Sequence, residues 1–190
     1  MPESTGSRMR ADAQRNRRRL LDAAATVFTR DGADASLNAI AREAGVGIAT
    51  LLRHFPTRAE LVEATFRDEL ARLCEASPAL ASERPAEEAT AEWMERFLAY
   101  MAAKHGMVDT LQAMMATGSP LYEETLGRLT EATRTLIDAG VRQGVYRADA
   151  NASDVLAQLG GIAYMAGAAD QRAQARRLIR LLIDGVRATR

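Results

Sequence analysis

The chain of 190 residues sets 25 basic against 25 acidic side chains and is 47% apolar but only 5% aromatic, with leucine and alanine recurring at helical spacing. That length holds one large helical domain or two small ones, and a single cysteine, Cys74, excludes an internal disulfide framework and a cysteine-rich zinc site. Short apolar runs and a polar, arginine-rich start point away from a membrane span or signal peptide, so a cytoplasmic protein with no membrane partner is expected.

Residues 1–14 lack apolar periodicity and are expected to form a mobile basic arm. Leu21, Ala24, Ala25 and Phe28 then fall at i, i+3, i+4 and i+7, which predicts a first helix ended by Gly32. Ser36 can cap a second helix whose Leu37, Ile40, Ala41 and Ala44 share one face before Gly45 stops it. Ile48 to Phe55 forms a third, ended by Pro56, and Thr57-Arg58-Ala59-Glu60 matches a capping box for a fourth running to about Glu75, with Leu61, Phe66, Leu70 and Leu73 inward. Residues 76–86, with Ser77-Pro78 and Arg84-Pro85, break the pattern.

Further on, Trp93, Phe97, Tyr100 and Met101 share a helix face closed by Lys104-His105-Gly106. A short helix follows from about Met107 to Ala116, then a long one from Pro120 to about Gln143, with Tyr122, Leu126, Leu129, Leu136 and Ile137 expected inward. Ser153 can cap the next helix, whose Gly160, Gly161, Ala163, Ala166 and Gly167 are small residues that let another backbone come close. The last sets Ala175, Leu178, Ile179, Leu182 and Val186 in one stripe. These two faces either pair with their copies in a second subunit or close the chain's own core.

The second helix, the turn near residues 45–47 and the helix over 48–55 match a helix-turn-helix, whose second helix enters the major groove. Residues 1–58 hold ten arginines against six acids, a net of +4 in a chain that is neutral overall. Such a basic N-terminal end can neutralise phosphates, and six of those arginines lie between Arg8 and Arg19. Helix 48–55 offers Thr50, Arg53 and His54 as donors and has no acid. The start of the fourth helix, with Thr57 and Arg58, is a candidate phosphate site.

At this point LLDAAATVFTRDG, SLNAIAREAGV, GIATLLRHF and PTRAEL together resemble the DNA-binding domain of the TetR family of bacterial transcriptional repressors, across about residues 17–62. GIATLLRHFPTRAEL and RAQARRLIRLLIDGVR are also similar to its SbtR-like branch. The resemblance implies an all-α protein with a three-helix DNA-binding domain over 15–62. A helical ligand-binding bundle over 63–190 would dimerise through its last two helices. By position, Thr50 and Arg53 would approach bases or neighbouring phosphates, and Ser36, His54 and Arg58 the DNA backbone; Arg17 of the basic arm and Thr57 at the start of the fourth helix are further phosphate candidates. Leu52 stands where the family most often has tyrosine, and Gly47 where many members have serine or threonine. Leu52 is left with a thymine methyl or the core as its place. The implied dimer face is Leu159, Ala163, Ala166, Leu178, Ile179, Leu182 and Val186.

A small-molecule effector is the second expected partner, beside an operator duplex. Trp93, Phe97, Tyr100 and Met101 supply an apolar lining, together with Met114, Met115, Tyr122 and Tyr164. His105 and Asp109 are too few for a metal site, and no nucleophile elbow, phosphate-cradling loop or metal cluster marks an enzyme, so neither cofactor nor metal is expected. The expected function is a dimeric repressor released from a palindromic operator by a small, largely apolar ligand. The alternative is a helical small-molecule-binding or interaction protein with a degenerate helix-turn-helix.

Overall fold

A computed structural model describes residues 4–166 and 171–188, and these form nine α-helices joined by short turns. They are α1 (Ser4–Asp31), α2 (Leu37–Glu43), α3 (Ile48–His54), α4 (Arg58–Glu83), α5 (Ala86–His105), α6 (Val108–Ala116), α7 (Leu121–Arg142), α8 (Ala152–Met165) and α9 (Arg172–Val186). No helix among the described residues is long and apolar enough to cross a membrane. Gly167, one of the expected close-packing residues, lies outside the described residues.

The chain divides into two compact units. One runs to Glu69 and takes in Ala103–Ala116; the other comprises Leu70–Ala102 and the chain from Thr117 onward. The boundary expected at residues 62/63 therefore falls later, and the α5–α6 turn with α6 joins the N-terminal unit. Gly106 explains that membership. A Cβ there would lie 2.2 Å from the Phe28 carbonyl oxygen, so the turn sits directly on the backbone of α1.

In the N-terminal unit α1 buries Leu20, Leu21, Ala24, Val27 and Phe28, and Gly32 ends it at φ +60°. The helix starts at Ser4 and not near residue 15, so most of the expected arm is helical. Once the Leu20–Phe28 face has nucleated α1, each added residue closes a hydrogen bond with no new nucleation cost. The arginine, alanine and glutamine residues of this stretch are strong helix formers.

Helix α4 also outruns its expected end near Glu75, passing through Pro78 to Glu83. Proline offers no N–H to the carbonyl of Cys74 one turn earlier. The buried Ser77 hydroxyl donates to that carbonyl at 3.0 Å, so the group proline leaves open is satisfied and the helix continues. Only Arg84 and Pro85 remain of the expected linker.

The second unit is built round Trp93, which is fully buried and donates its indole N–H to the Leu73 carbonyl at 2.9 Å. Helix α7 packs on α8 and α8 on α9. Leu129, Leu136 and Ile137 face inward as expected, but Tyr122 and Leu126 are exposed at 59% and 47% while Leu121 and Thr125 are buried in their place. Thr125 donates its hydroxyl to the Leu121 carbonyl at 2.6 Å, which removes the cost of burying it. The cap of α8 is Asn151 and not Ser153: its side-chain oxygen accepts from the Ser153 and Asp154 amides. An antiparallel bridge between Tyr146 and Arg187 ties the α7–α8 loop to the end of α9.

The stripe expected to meet a second subunit is, for the most part, this unit's own core. Leu159, Ala163, Ile179, Leu182 and Val186 are all buried within the chain, and Ala166 and Leu178 are half-buried. An amphipathic helix gives its most apolar face to the nearest large core. The outward faces of the same helices carry a second, smaller apolar set, Tyr164, Met165 and Leu181, exposed at 60% or more.

Gly140 inside α7 has a local reason: a Cβ there would stand 2.1 Å from the Tyr146 ring, whose hydroxyl donates to the Ala86 carbonyl. Gly140→Ala should therefore lower stability in urea unfolding by about 1–3 kcal/mol. Gly127→Ala, on the same helix but facing open space, should raise it by up to about 1 kcal/mol.

Candidate nucleic-acid interface

Helices α2 and α3 are seven residues each, and their junction is held by local bonds. Ser36 caps α2 by accepting the Ala39 amide at 3.1 Å. At the other end Gly45 takes φ +67°, its amide donates to the Arg42 carbonyl, and the Val46 amide returns to the Ala41 carbonyl at 3.0 Å. Gly47 then caps α3 with an extended backbone and no side chain, its carbonyl accepting from Thr50 and Leu51. Thr57 caps α4, accepting the Glu60 amide and donating to the Glu60 carboxylate, both at 3.1 Å.

Helix α3 turns Leu51 fully inward, and Phe55 behind it is buried. Its other side leaves Arg53 exposed and Leu52 39% exposed, with Thr50 and His54 half-buried. Leu52 therefore does not join Leu51 in the core. Arg53 has no side-chain partner among the described residues, and the helix carries no acid. His54 lies with its ring centroid 6.4 Å from that of Phe55. Ile48, 38% exposed in the first turn of α3, is an apolar residue on the open side of the helix that polarity-based reading passed over.

Several arginines of this region have internal work. Arg19 donates to the Ala44 carbonyl at 2.8 Å, at the end of α2. The Arg17 guanidinium lies over the Phe55 ring, 5.1 Å from its centroid. Arg58 is half-buried, stacked 5.4 Å from the Phe28 ring centroid, and donates to the Ala35 carbonyl just before the α2 cap. Arg30 pairs with Asp31 and reaches Glu43 at 3.1 Å, and the carboxylates raise its pKa above the ordinary arginine value. Ser36, Gly47 and Thr57 are exposed, so each remains open to a phosphate.

The expected effector lining is only partly gathered. Trp93, Phe97 and Tyr100 form a column in the second unit, with ring centroids 5.9 and 6.0 Å apart, all buried; Met101 is half-buried. Burial also pushes the Tyr100 phenol above its ordinary pKa, and the Cys74 thiol likewise. Met114 and Met115 belong to the N-terminal unit, half-buried and 36% exposed. Tyr122 and Tyr164, at 59% and 78% exposure, are not enclosed by the described residues.

Residues 20–65 match the family model for bacterial regulatory proteins of the tetR family, and residues 85–188 match that for the SbtR-like transcriptional regulator C-terminal domain. The crystal structure of the TetR transcriptional regulator SCO0520 from Streptomyces coelicolor superposes with a TM-score of 0.84 at 46% identity, covering 92% of this chain and 99% of that one. A TetR transcription regulatory protein from Mycobacterium vanbaalenii gives 0.74 at 30% identity over 95% and 99%. A curated HTH-type transcriptional regulator from Staphylococcus aureus strain USA300 is 43% identical over 54 residues, which is 28% of this chain and 29% of that relative's length.

Gly45→Ala forces a left-handed alanine, costing about 1–2 kcal/mol, and sets a Cβ 3.2 Å from the Arg19 guanidinium. The variant should melt lower by circular dichroism and lose most of its sequence-specific DNA affinity at temperatures where it is still folded.

Proposed function

The chain belongs to the TetR family of transcriptional regulators, and on that premise we propose that it is a dimeric repressor, released from a near-palindromic operator when a small, largely apolar ligand enters its second unit. As a family member it is a DNA-binding regulator. The observation that carries the reading is the exposed side of α3. Thr50, Leu52 and Arg53 form a donor, a methyl-bearing surface and a cation on one acid-free helix whose opposite face is locked into the core. Arg53 suits bidentate reading of guanine, and Leu52 suits a thymine methyl. Ser36, Thr57 and the exposed backbone at Gly47 supply contacts to flanking phosphates.

The outward side of α8 and α9 supports pairing of two copies. Gly160, Gly161 and Gly185 lie inside helices with nothing within 4 Å of where a Cβ would stand, so no close approach among the described residues accounts for them. Each costs about 1 kcal/mol of helix stability relative to alanine. Close approach of a partner's backbone offsets that cost, and exposed Tyr164, Met165 and Leu181 supply the apolar contact around it. The dimer face thus uses these residues, with half-buried Ala166 and Leu178 at its edge.

The effector site centres on the column Trp93–Phe97–Tyr100 with Met101 beside it. The rings favour a flat apolar ligand, and the Tyr100 hydroxyl, kept protonated by burial, is the polar group of that lining. Release requires the ligand to bind the DNA-free arrangement more tightly than the DNA-bound one.

Selection of bound sequences from a random duplex pool, followed by mobility shift of the winner at two salt concentrations, should recover a palindrome bound by two chains. A pool with no enriched motif would sink the reading. Arg53→Ala should weaken the selected operator by about 1–3 kcal/mol and leave random duplex nearly unchanged. Gly161→Leu should sediment as a monomer with its helical content intact, because its side chain meets only open space within the chain.

A further inference from the structure

We infer that Arg19 and Arg58 are positioning residues of the helix-turn-helix: they grip the backbone carbonyls flanking the two ends of α2, Ala44 and Ala35, fixing the angle at which α3 meets DNA, and do not neutralise phosphate. The inference rests on the DNA-reading role of α3.

Four observations support it. The Arg19 guanidinium, projecting from α1, donates at 2.8 Å to the Ala44 carbonyl, the last of α2 before the chain turns through Gly45. That turn is shaped to receive it, since a side chain on Gly45 would begin 3.2 Å from Arg19 Nη2. The Arg58 guanidinium, at the start of α4, donates to the Ala35 carbonyl next to the α2 cap. It is also half-buried and stacked on the fully buried Phe28 ring, 5.4 Å away.

The chemistry of α2 requires such grips. A seven-residue helix closes few internal bonds and leaves its last carbonyls without helical partners. A guanidinium donating to a terminal carbonyl satisfies that group and adds a favourable charge at the negative end of the helix. Arg19 does this at the end from which the turn into α3 departs. Arg58 acts at the opposite end, where its contact is to the chain entering the helix and its role is purely one of anchoring. With both ends of α2 held, the short path through Gly45, Val46 and Gly47 and the packing of α3 on α2 fix the direction of α3.

A phosphate contact and a positioning contact differ in measurable ways. Losing one phosphate contact makes the dependence of log affinity on log salt shallower by about 0.9 and weakens specific and random duplex alike. Losing a grip on α2 misplaces α3, so it weakens the operator alone and leaves the salt slope unchanged.

The experiment compares Arg19→Gln and Arg58→Gln with the parent full-length chain on the selected operator and on random duplex across a salt series. Hydrogen–deuterium exchange of peptides covering residues 36–55 is followed without DNA. The expected result is at least a tenfold loss on the operator, an unchanged slope and random affinity, and faster exchange confined to α2 and α3. Operator affinity within twofold of the parent, a shallower slope with parallel loss on random duplex, or unchanged exchange over 36–55 would each overturn the inference. If a glutamine variant fails to fold, the charge-preserving Arg19→Lys and Arg58→Lys decide: positioning predicts the operator loss and faster exchange persist, whereas phosphate neutralisation predicts near-parental binding. Should the parent enrich no sequence, the DNA-reading premise fails, and the exchange measurement still tests the grips.

Discussion

Two helices of seven residues cannot stand alone in water, and the DNA-facing unit is organised round that constraint. Helix α2 gains its stability by packing on α1, whose buried face ends in Phe28, and α3 by packing on α2. The ring of Phe28 carries the Arg58 guanidinium, and its carbonyl lies under Gly106 of the α5–α6 turn. One fully buried side chain thus has the start of α4 on its ring and the start of α6 on its backbone. Caps at Ser36, Gly47 and Thr57 sharpen the ends of α2, α3 and α4, but a cap contributes about 1 kcal/mol and sets no angle between helices. The angle comes from contacts that join α1 and α4 to α2: Arg19 with Ala44, Arg30 with Glu43 and Arg58 with Ala35.

Local chemistry was legible in the sequence and long-range chemistry was not. Ser36 as a cap, Gly32 and Gly45 as left-handed stops, and the Thr57–Glu60 pair are decided within four residues, and the structure has each in that role. The Arg19 and Arg58 contacts span 25 and 23 residues, and nothing in an arginine-rich segment distinguishes a guanidinium turned inward from one turned to solvent. Pro78 misled for the complementary reason. Its breaking effect is local, but the remedy lay in the hydroxyl of Ser77, a residue that also reads as a helix breaker.

Periodicity showed where the helices lie more reliably than which side of each faces in. On α7 the buried row is Leu121, Thr125, Leu129, Thr133 and Leu136, with two threonines bonded back to their own helix. Read by polarity, those threonines break the row, and Tyr122 and Leu126 take over the stripe one position away. On α8 and α9 the phase was right and the partner was not. A stripe such as Ile179–Leu182–Val186 is equally apolar whether it meets a neighbouring helix or a second chain. The glycines separate the two cases better. Gly106 and Gly140 have backbone or ring pressed onto them, whereas Gly160, Gly161 and Gly185 face space that nothing among the described residues fills.

The positions of the arginines also change what the basic N-terminal end means for binding. Of the eight whose side chains are described between residues 12 and 58, Arg15 pairs with Asp12, Arg30 with Asp31 and Glu43, and Arg17, Arg19 and Arg58 are engaged by ring or carbonyl. Arg18, Arg42 and Arg53 are exposed without a partner among the described residues. Each guanidinium committed inside the unit is withdrawn from its electrostatic footprint on DNA, and sequence-independent affinity grows with the number of phosphates neutralised. A second copy doubles the footprint and makes the second half-site encounter intramolecular, which multiplies affinity with no new kind of contact. In the proposed dimer, pairing offsets the commitment of these arginines to building the helix-turn-helix, and the glycine and tyrosine face of α8 and α9, uncovered among the described residues, is the surface proposed for it.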